Sequence, residues 1–277
     1  MTLSELIQTF TNLRESWPGN WPGLAKVLDS ALRQLGQDPQ KSSSPRIEAL
    51  RQCAFEVAQI IDEKSEQSAA AQTEPPYHNR LHFADVLVGL TCLLLQMRPS
   101  VKVLRSDALS VAEWRAILAV VAHDWQHPGA INQFPAQIES FTVAQLRPLM
   151  HQAGLDVEDQ EVVARLILQT DPRCVKTSHE GILSRPFDLS DERCMAVLIQ
   201  EADILASASV EIGPSLTQQL AMEWQPHTPQ MAAQLLTPTG RLNFLKFGAL
   251  FSSPASRTLG LDKMVAQQIQ ALSAASI

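Results

Sequence analysis

Four of the seven histidines in this 277-residue chain fall in two short runs, YHNRLHFADV at 77–86 and AHDWQHPG at 122–129. His78 and His82 stand four residues apart with Asp85 three further on, and His123 and Asp124 are adjacent with His127 four beyond His123. On a helix, residues three or four apart share a face. The spacing therefore predicts that His78 and His82 project together with Asp85 beside them, and that His127 lies one turn past His123. Imidazole nitrogens suit zinc and similar divalent cations, whereas a neighbouring carboxylate suits a harder cation or bridges two. Two cations sharing a carboxylate would polarise a phosphoryl group and generate a nucleophile near neutral pH. Pro128-Gly129 is expected to end the second helix just after His127, leaving the ligands at a terminus that opens on a cleft.

The elements that must position these groups read as helices nearly throughout. Leu3, Leu6, Ile7 and Phe10 recur at helical spacing after Thr2, a residue able to cap, and Leu24, Val27, Leu28 and Leu32 do the same. Ile47, Leu50, Cys53, Ala54, Val57, Ile60 and Ile61 trace a third face. Further helices are expected at 81–98, 110–123, 142–153, 158–170, 190–209, 212–224, 228–236, 241–251 and 259–274. Ser110 with Glu113, and Thr142, sit where N-caps belong. Alternating strand patterns joined by Asn-Gly or Asp-Gly turns are absent, so the expected fold class is all-α. Breaker clusters PGNWPG at 18–23 and QKSSSPR at 40–46 interrupt the pattern. The second divides the chain into an N-terminal helical cap or dimer contact, 1–45, and a main body, 46–277.

Composition narrows the class. Hydrophobic residues make up 45% of the chain and charged residues 18%, enough for a sizeable core. A net charge of −7 without a basic run argues against a nucleic-acid partner and leaves room for a small anionic substrate neutralised by bound metal. Four scattered cysteines, with no CxxC pair, predict neither a disulfide framework nor a thiolate zinc site. The most apolar segment, 86–97, is too short to span a bilayer and fits a buried helix. The N-terminus lacks the basic-then-apolar order of a signal peptide. Together these predict a cytoplasmic protein with no membrane partner, either a monomer or a homo-oligomer.

YHNRLHFADV resembles the first motif of the class I cyclic-nucleotide phosphodiesterases, HD-type all-helical phosphohydrolases, which runs Tyr-His-Asn-x-x-His-x-x-Asp-Val. AHDWQHPGAINQF resembles their second, His-Asp-x-x-His-Pro-Gly-x-x-Asn-x-Phe. ILQTD at 167–171, EADILASAS at 201–209 and GRLNFLKFGALF at 240–251 are similar to later stretches of the same catalytic domain, in the same order, so the likeness spans about 45–265. The resemblance implies a compact multi-helix catalytic domain that hydrolyses a 3′,5′-cyclic nucleotide to the 5′-monophosphate by a metal-bridging hydroxide. It implies His82, His123, Asp124 and Asp203 as ligands of a tightly held zinc, with Asp124 bridging to magnesium or manganese. It implies His78 as the acid that protonates the leaving oxygen. Asn79, His127 and Thr170 would hold imidazoles or metal waters, Asp85 would support a ligand, and Tyr77 and Phe244 would line the substrate site.

Two stretches depart from the family pattern. The segment 134–140, FPAQIES, is much shorter than the family's, and Ile138-Glu139 stands for a Leu-Glu whose glutamate helps hold a metal water, while Phe141 and Thr142 replace paired histidines. Three residues before Phe244 the family carries a glutamine that hydrogen-bonds the purine, and this chain carries Arg241. Arginine offers donors only, so it can fork onto guanine-type acceptors or an anion but cannot reproduce an amide contact. These departures keep two alternatives open, a phosphohydrolase of another phosphoester or nucleotide, and a non-catalytic nucleotide-binding module that retains its metals as staples.

Overall fold

Apolar side chains surround α4 (Arg80–Met97) on every side, and a helix of that kind must be enclosed. The computed structural model, which describes residues 1–37, 44–98 and 109–274, encloses it with α1 (Leu3–Ser16), α2 (Leu24–Gln34), α5 (Val111–Ala122), α9 (Glu192–Ala208) and α13 (Pro254–Leu259). By length and composition α4 could cross a bilayer, but 83% of its apolar window is buried inside the protein. Its most extensive contact is with α9. Gly89 permits that approach: a Cβ there would lie 3.1 Å from the Ala202 carbonyl oxygen.

Around this pair stand α3 (Pro45–Ala70), α6 (Gln137–Gln152), α7 (Val157–Leu168), α8 (Pro172–Ile182), α10 (Gly213–Trp224), α11 (Pro229–Leu235), α12 (Pro238–Asn243) and α14 (Leu261–Ala274). No strand occurs among the described residues, and the fold is all-α as expected. The boundary expected at 40–46 falls partly on residues 40–43, outside the described residues. Leu6, Phe10, Leu24 and Leu28 of α1 and α2 are buried in the same hydrophobic core as α4, α5 and α9.

Local chemistry explains the starts. Thr2 and Ser110 each form a capping box, with Glu5 and Glu113 respectively. Thr142 is not a cap. Helix α6 begins five residues earlier, and the Thr142 hydroxyl donates to the Trp125 carbonyl at 3.3 Å from mid-helix. Two helices were not anticipated, α8 and α13; both begin at proline behind a capping Asp171 or Ser253, a pairing that also reads as a break. The helix expected over 241–251 is instead α12 followed by a π-helical turn, Phe244–Gly248, closed by Ala249 N–H donating to the Phe244 carbonyl at 2.8 Å.

Candidate metal centre and cavity

His82 reaches the site from the first turn of α4, His123 from the C-cap of α5, Asp124 from the residue after it and Asp203 from the fourth turn of α9. His82 Nε2 lies 3.1 Å from Asp124 Oδ2 and 3.3 Å from Asp203 Oδ1. His123 Nε2 lies 3.0 Å and 3.5 Å from the same two oxygens. A tetrahedral cation with bonds of about 2.0–2.1 Å would set its ligands about 3.3 Å apart, so the four atoms have the spacing of a coordination shell.

The donor chemistry agrees with that spacing. His123 Nδ1 is 2.8 Å from the Val120 carbonyl, which can only accept, so Nδ1 carries the proton and Nε2 presents its lone pair. That buried Nε2 has no hydrogen-bond partner and faces two carboxylate oxygens. Lone pairs directed at one another need a cation or a proton between them. Without a cation they draw protons: burial opposes charge on His82, but Asp124 and Asp203 outweigh it and push the imidazole up to about 9. The same balance raises His123 well above its ordinary range. The four residues could hold a metal ion, and His78, Asp124 and His127 form a second converging set.

The local backbone of this second set differs from the helical spacing read in the sequence. Asn79, extended at φ −108 and ψ 179, is the N-cap of α4, so His78 lies outside the helix that carries His82. Asn79 Oδ1 accepts from Leu81 N–H at 2.9 Å and His82 N–H at 3.3 Å, while its amide donates to the carbonyls of Pro75 and Pro76. Asn79 thus fixes the start of α4 through side-chain hydrogen bonds that all go to backbone atoms. At the second run the helix ends at Ala122, and Gln126, at φ +63, turns the chain back. His127 is thereby stacked on His78, centroids 3.6 Å apart, rather than standing one helical turn beyond His123. The stop comes earlier than Pro128 because the chain leaves the helix in two successive turns, Trp125 N–H donating to the Ala122 carbonyl and His127 N–H to the Asp124 carbonyl, both at 2.9 Å.

Glu223 of α10 organises His78 and was not singled out in the sequence. Its carboxylate accepts from the backbone N–H groups of Tyr77 at 2.9 Å and His78 at 3.0 Å, and it also holds His78 Nδ1. Burial would raise this carboxyl, but the His127 and His78 imidazoles outweigh it and hold it well below the usual range. His78 Nε2 is left facing Asp124, 3.7 Å from Oδ2. Burial and the adjacent His127 lower the His78 imidazole against the pull of Asp124 and Glu223. One signal was available: Glu223 is the sole ionisable residue of α10.

A cavity of about 520 Å³ opens over the cluster, lined by Tyr77, His78, Asp124, His127, Asp203 and residues of α8 to α12. Glu139 and Thr170 line it, Glu139 accepting twice from the Asn132 amide and Thr170 donating to the Ile167 carbonyl at 2.7 Å. Burial raises the Glu139 carboxyl. The Tyr77 hydroxyl is 2.9 Å from Ser207 Oγ, and its ring packs 4.9 Å from that of His82. Asp85, 2% exposed, is held by both terminal nitrogens of Arg14 from α1, at 2.9 Å and 2.5 Å. Phe244 and Arg241 also line the cavity, but the guanidinium donates to the Ser207 and Ser209 carbonyls and to Gln268 Oε1. Arg241 therefore caps the carboxy end of α9. No model of a known protein family matches the chain, and no curated protein matches it.

Proposed function

We propose that the protein is a metal-dependent phosphohydrolase whose substrate is a 3′,5′-cyclic nucleotide, cleaved to the 5′-monophosphate. The observation that carries this reading is the position of His78. It sits against a convergent His82–His123–Asp124–Asp203 set, with Nδ1 anchored on Glu223 and Nε2 facing Asp124 at the cavity lining. A purely structural metal site has no need of such an anchored imidazole.

One or two divalent cations held there, zinc with magnesium or manganese, would polarise the phosphoryl group and acidify water. The chain's own residues supply proton transfer and shape. His82, His123, Asp124 and Asp203 fix the charge at the cavity floor. Glu223 holds His78 in the tautomer with Nδ1–H and stabilises its cationic form. His78 delivers a proton from Nε2 to O3′ as the P–O3′ bond breaks, and the water that attacks phosphorus replaces that proton. Glu139, its carboxyl anchored by Asn132, offers an acceptor to water in the same cavity.

The test is hydrolysis of cyclic AMP, cyclic GMP and bis-p-nitrophenyl phosphate by protein supplemented with zinc, magnesium or manganese. Cyclic-nucleotide turnover that Asp124→Ala abolishes along with bound metal supports the reading. Turnover of the generic ester alone moves the substrate elsewhere, and silence on all three with metal bound overturns the enzymatic assignment.

A further inference from the structure

Along α9, Asp203 stands between two other residues of the cavity lining, Gln200 one turn before it and Ser207 one turn after it. Gln200 and Ser207 are about 10 Å apart along the helix axis. A substrate that reacts beside Asp203 therefore has room on two sides. The Ser207 side is walled by α10 to α12. The other side is walled by the start of α8 and the chain leading into α6, through Ile131, Asn132, Ile138, Pro172, Arg173 and Val175.

The charged groups of this cavity are nearly all committed inside the protein. Asp124 and Asp203 face the imidazoles of the floor. Glu139 accepts twice from the Asn132 amide, and Asp171 accepts from the N–H groups of Ala136 at 2.6 Å and Arg173 at 2.9 Å. Arg241 is spent on the carbonyls that end α9. Arg173 differs. Its Nη2 donates to the Asn132 carbonyl at 2.8 Å, and it forms no salt bridge among the described residues. A guanidinium carries more donors than this one bond uses, so the bond fixes its place and leaves a fork of N–H groups open. Such a fork matches a phosphate in geometry and charge. Arg173 is exposed whereas His82 and His123 are buried, so the fork stands at the mouth, away from a phosphoryl group that reacts on the floor.

We infer that Arg173 anchors a second phosphate of the substrate, one that does not react, and that the substrate is a cyclic dinucleotide rather than a cyclic mononucleotide. This rests on the cyclic-nucleotide reading above and narrows it, because a cyclic mononucleotide has no second phosphate for Arg173 to meet. Water adds to one phosphorus, the P–O3′ bond there breaks as a proton passes to O3′, and a linear dinucleotide with a terminal 5′-phosphate results. The other phosphodiester stays intact on Arg173.

The experiment compares kcat/KM for cyclic di-AMP and cyclic AMP, which share a base, in the native protein, Arg173→Met and Arg173→Lys. Bis-p-nitrophenyl phosphate serves as a substrate with neither base nor second phosphate. The native protein is expected to favour cyclic di-AMP by about 10- to 100-fold, the worth of one charge-assisted contact. Arg173→Met is expected to bring the two cyclic substrates level. Arg173→Lys should keep part of the preference, since an ammonium retains the charge without the fork. A native protein that turns over cyclic AMP as well as cyclic di-AMP, or better, overturns the second-phosphate anchor and leaves the phosphodiesterase reading intact. So does a preference that survives in Arg173→Met. An equal fall on every substrate in Arg173→Met also overturns it, by placing Arg173 on the reacting phosphoryl group. If a variant fails to fold, the native preference decides. Cleavage of the simple ester with no turnover of either cyclic nucleotide overturns both proposals.

Discussion

Replacing Arg14 by methionine keeps the aliphatic stem of the side chain and removes the two donors that hold Asp85. Asp85 is 2% exposed and lies one turn beyond His82 on α4, so its charge would be left without a counterion. Breaking a buried pair in this way costs about 3–5 kcal/mol. Protonation of Asp85 sets a ceiling, because carrying an ordinary aspartic acid from pKa 3.9 to a proton-bound state at pH 7 costs about 4 kcal/mol. The expected loss at pH 7 is therefore about 3–4 kcal/mol. The ceiling falls by about 1.4 kcal/mol per pH unit, to about 1.5 kcal/mol at pH 5. The sign follows from burial, which already pushes the carboxyl up against the pull of Arg14 and pushes it further once Arg14 is gone. The variant's deficit then shrinks on acidification and grows as pH rises. Urea unfolding of the two proteins at pH 5 and pH 7 measures it. Adding Asp85→Leu should recover most of the loss, since the polar demand leaves with the carboxylate. A deficit under about 1 kcal/mol at pH 7, or one that is equal at both pH values, would refute the claim that Arg14 compensates a buried charge.

Glu223→Gln should leave bound metal unchanged while lowering turnover by about 10²- to 10⁴-fold, because an amide cannot stabilise the cationic form of His78; metal analysis beside single-turnover rates checks it. His179, buried and bonded to Ser252 Oγ at 2.7 Å, is pulled by burial down to about 4. Below about pH 6.5 the unfolded chain gains a proton that the fold refuses, so stability should fall by about 3 kcal/mol between pH 6.5 and 4. Unfolding free energies of native protein and His179→Gln across that window should differ in slope by one proton. Glu201, fully buried, accepts from the N–H groups of Ser252 and Ser253 and from the hydroxyls of Ser253 and Ser256. Glu201→Ala should cost about 3–5 kcal/mol in urea unfolding, and Glu201→Gln much less, since serine hydroxyls can turn to accept from the new amide.

The helical class and the cluster were legible because their signals are local. Apolar periodicity marks a helix within a dozen residues, and His82, His123 and Asp124 stand in two histidine-rich runs of a chain so poor in histidine, whereas Asp203, one of 29 acidic residues, was indicated only by the family resemblance. Less legible was how each segment meets its neighbour. His78 and His127 follow helical spacing in the sequence, yet a cap at Asn79 and a left-handed turn at Gln126 set their directions. Glu223, Arg14 and Glu201 look like ordinary surface charges until the fold brings in partners 145, 71 and 51 residues away. Arg241 was read as a residue facing a ligand, and its attachment to the end of α9 depends on the space left by Gly213.

The four convergent ligands come from positions separated by 41 and 79 residues along the chain. A cation seated among them is therefore a cross-link between α4, the end of α5 and α9, and it closes two long loops at once. At a thousandfold excess over its dissociation constant it would add about 4 kcal/mol to the folded state. On the proposed reading, supply of the ion would govern how long the chain survives as well as what it does. During synthesis from the N-terminus such a cross-link could not close until residue 203 had emerged, so a chain truncated before it would lose the proposed catalyst and the clasp by the same omission.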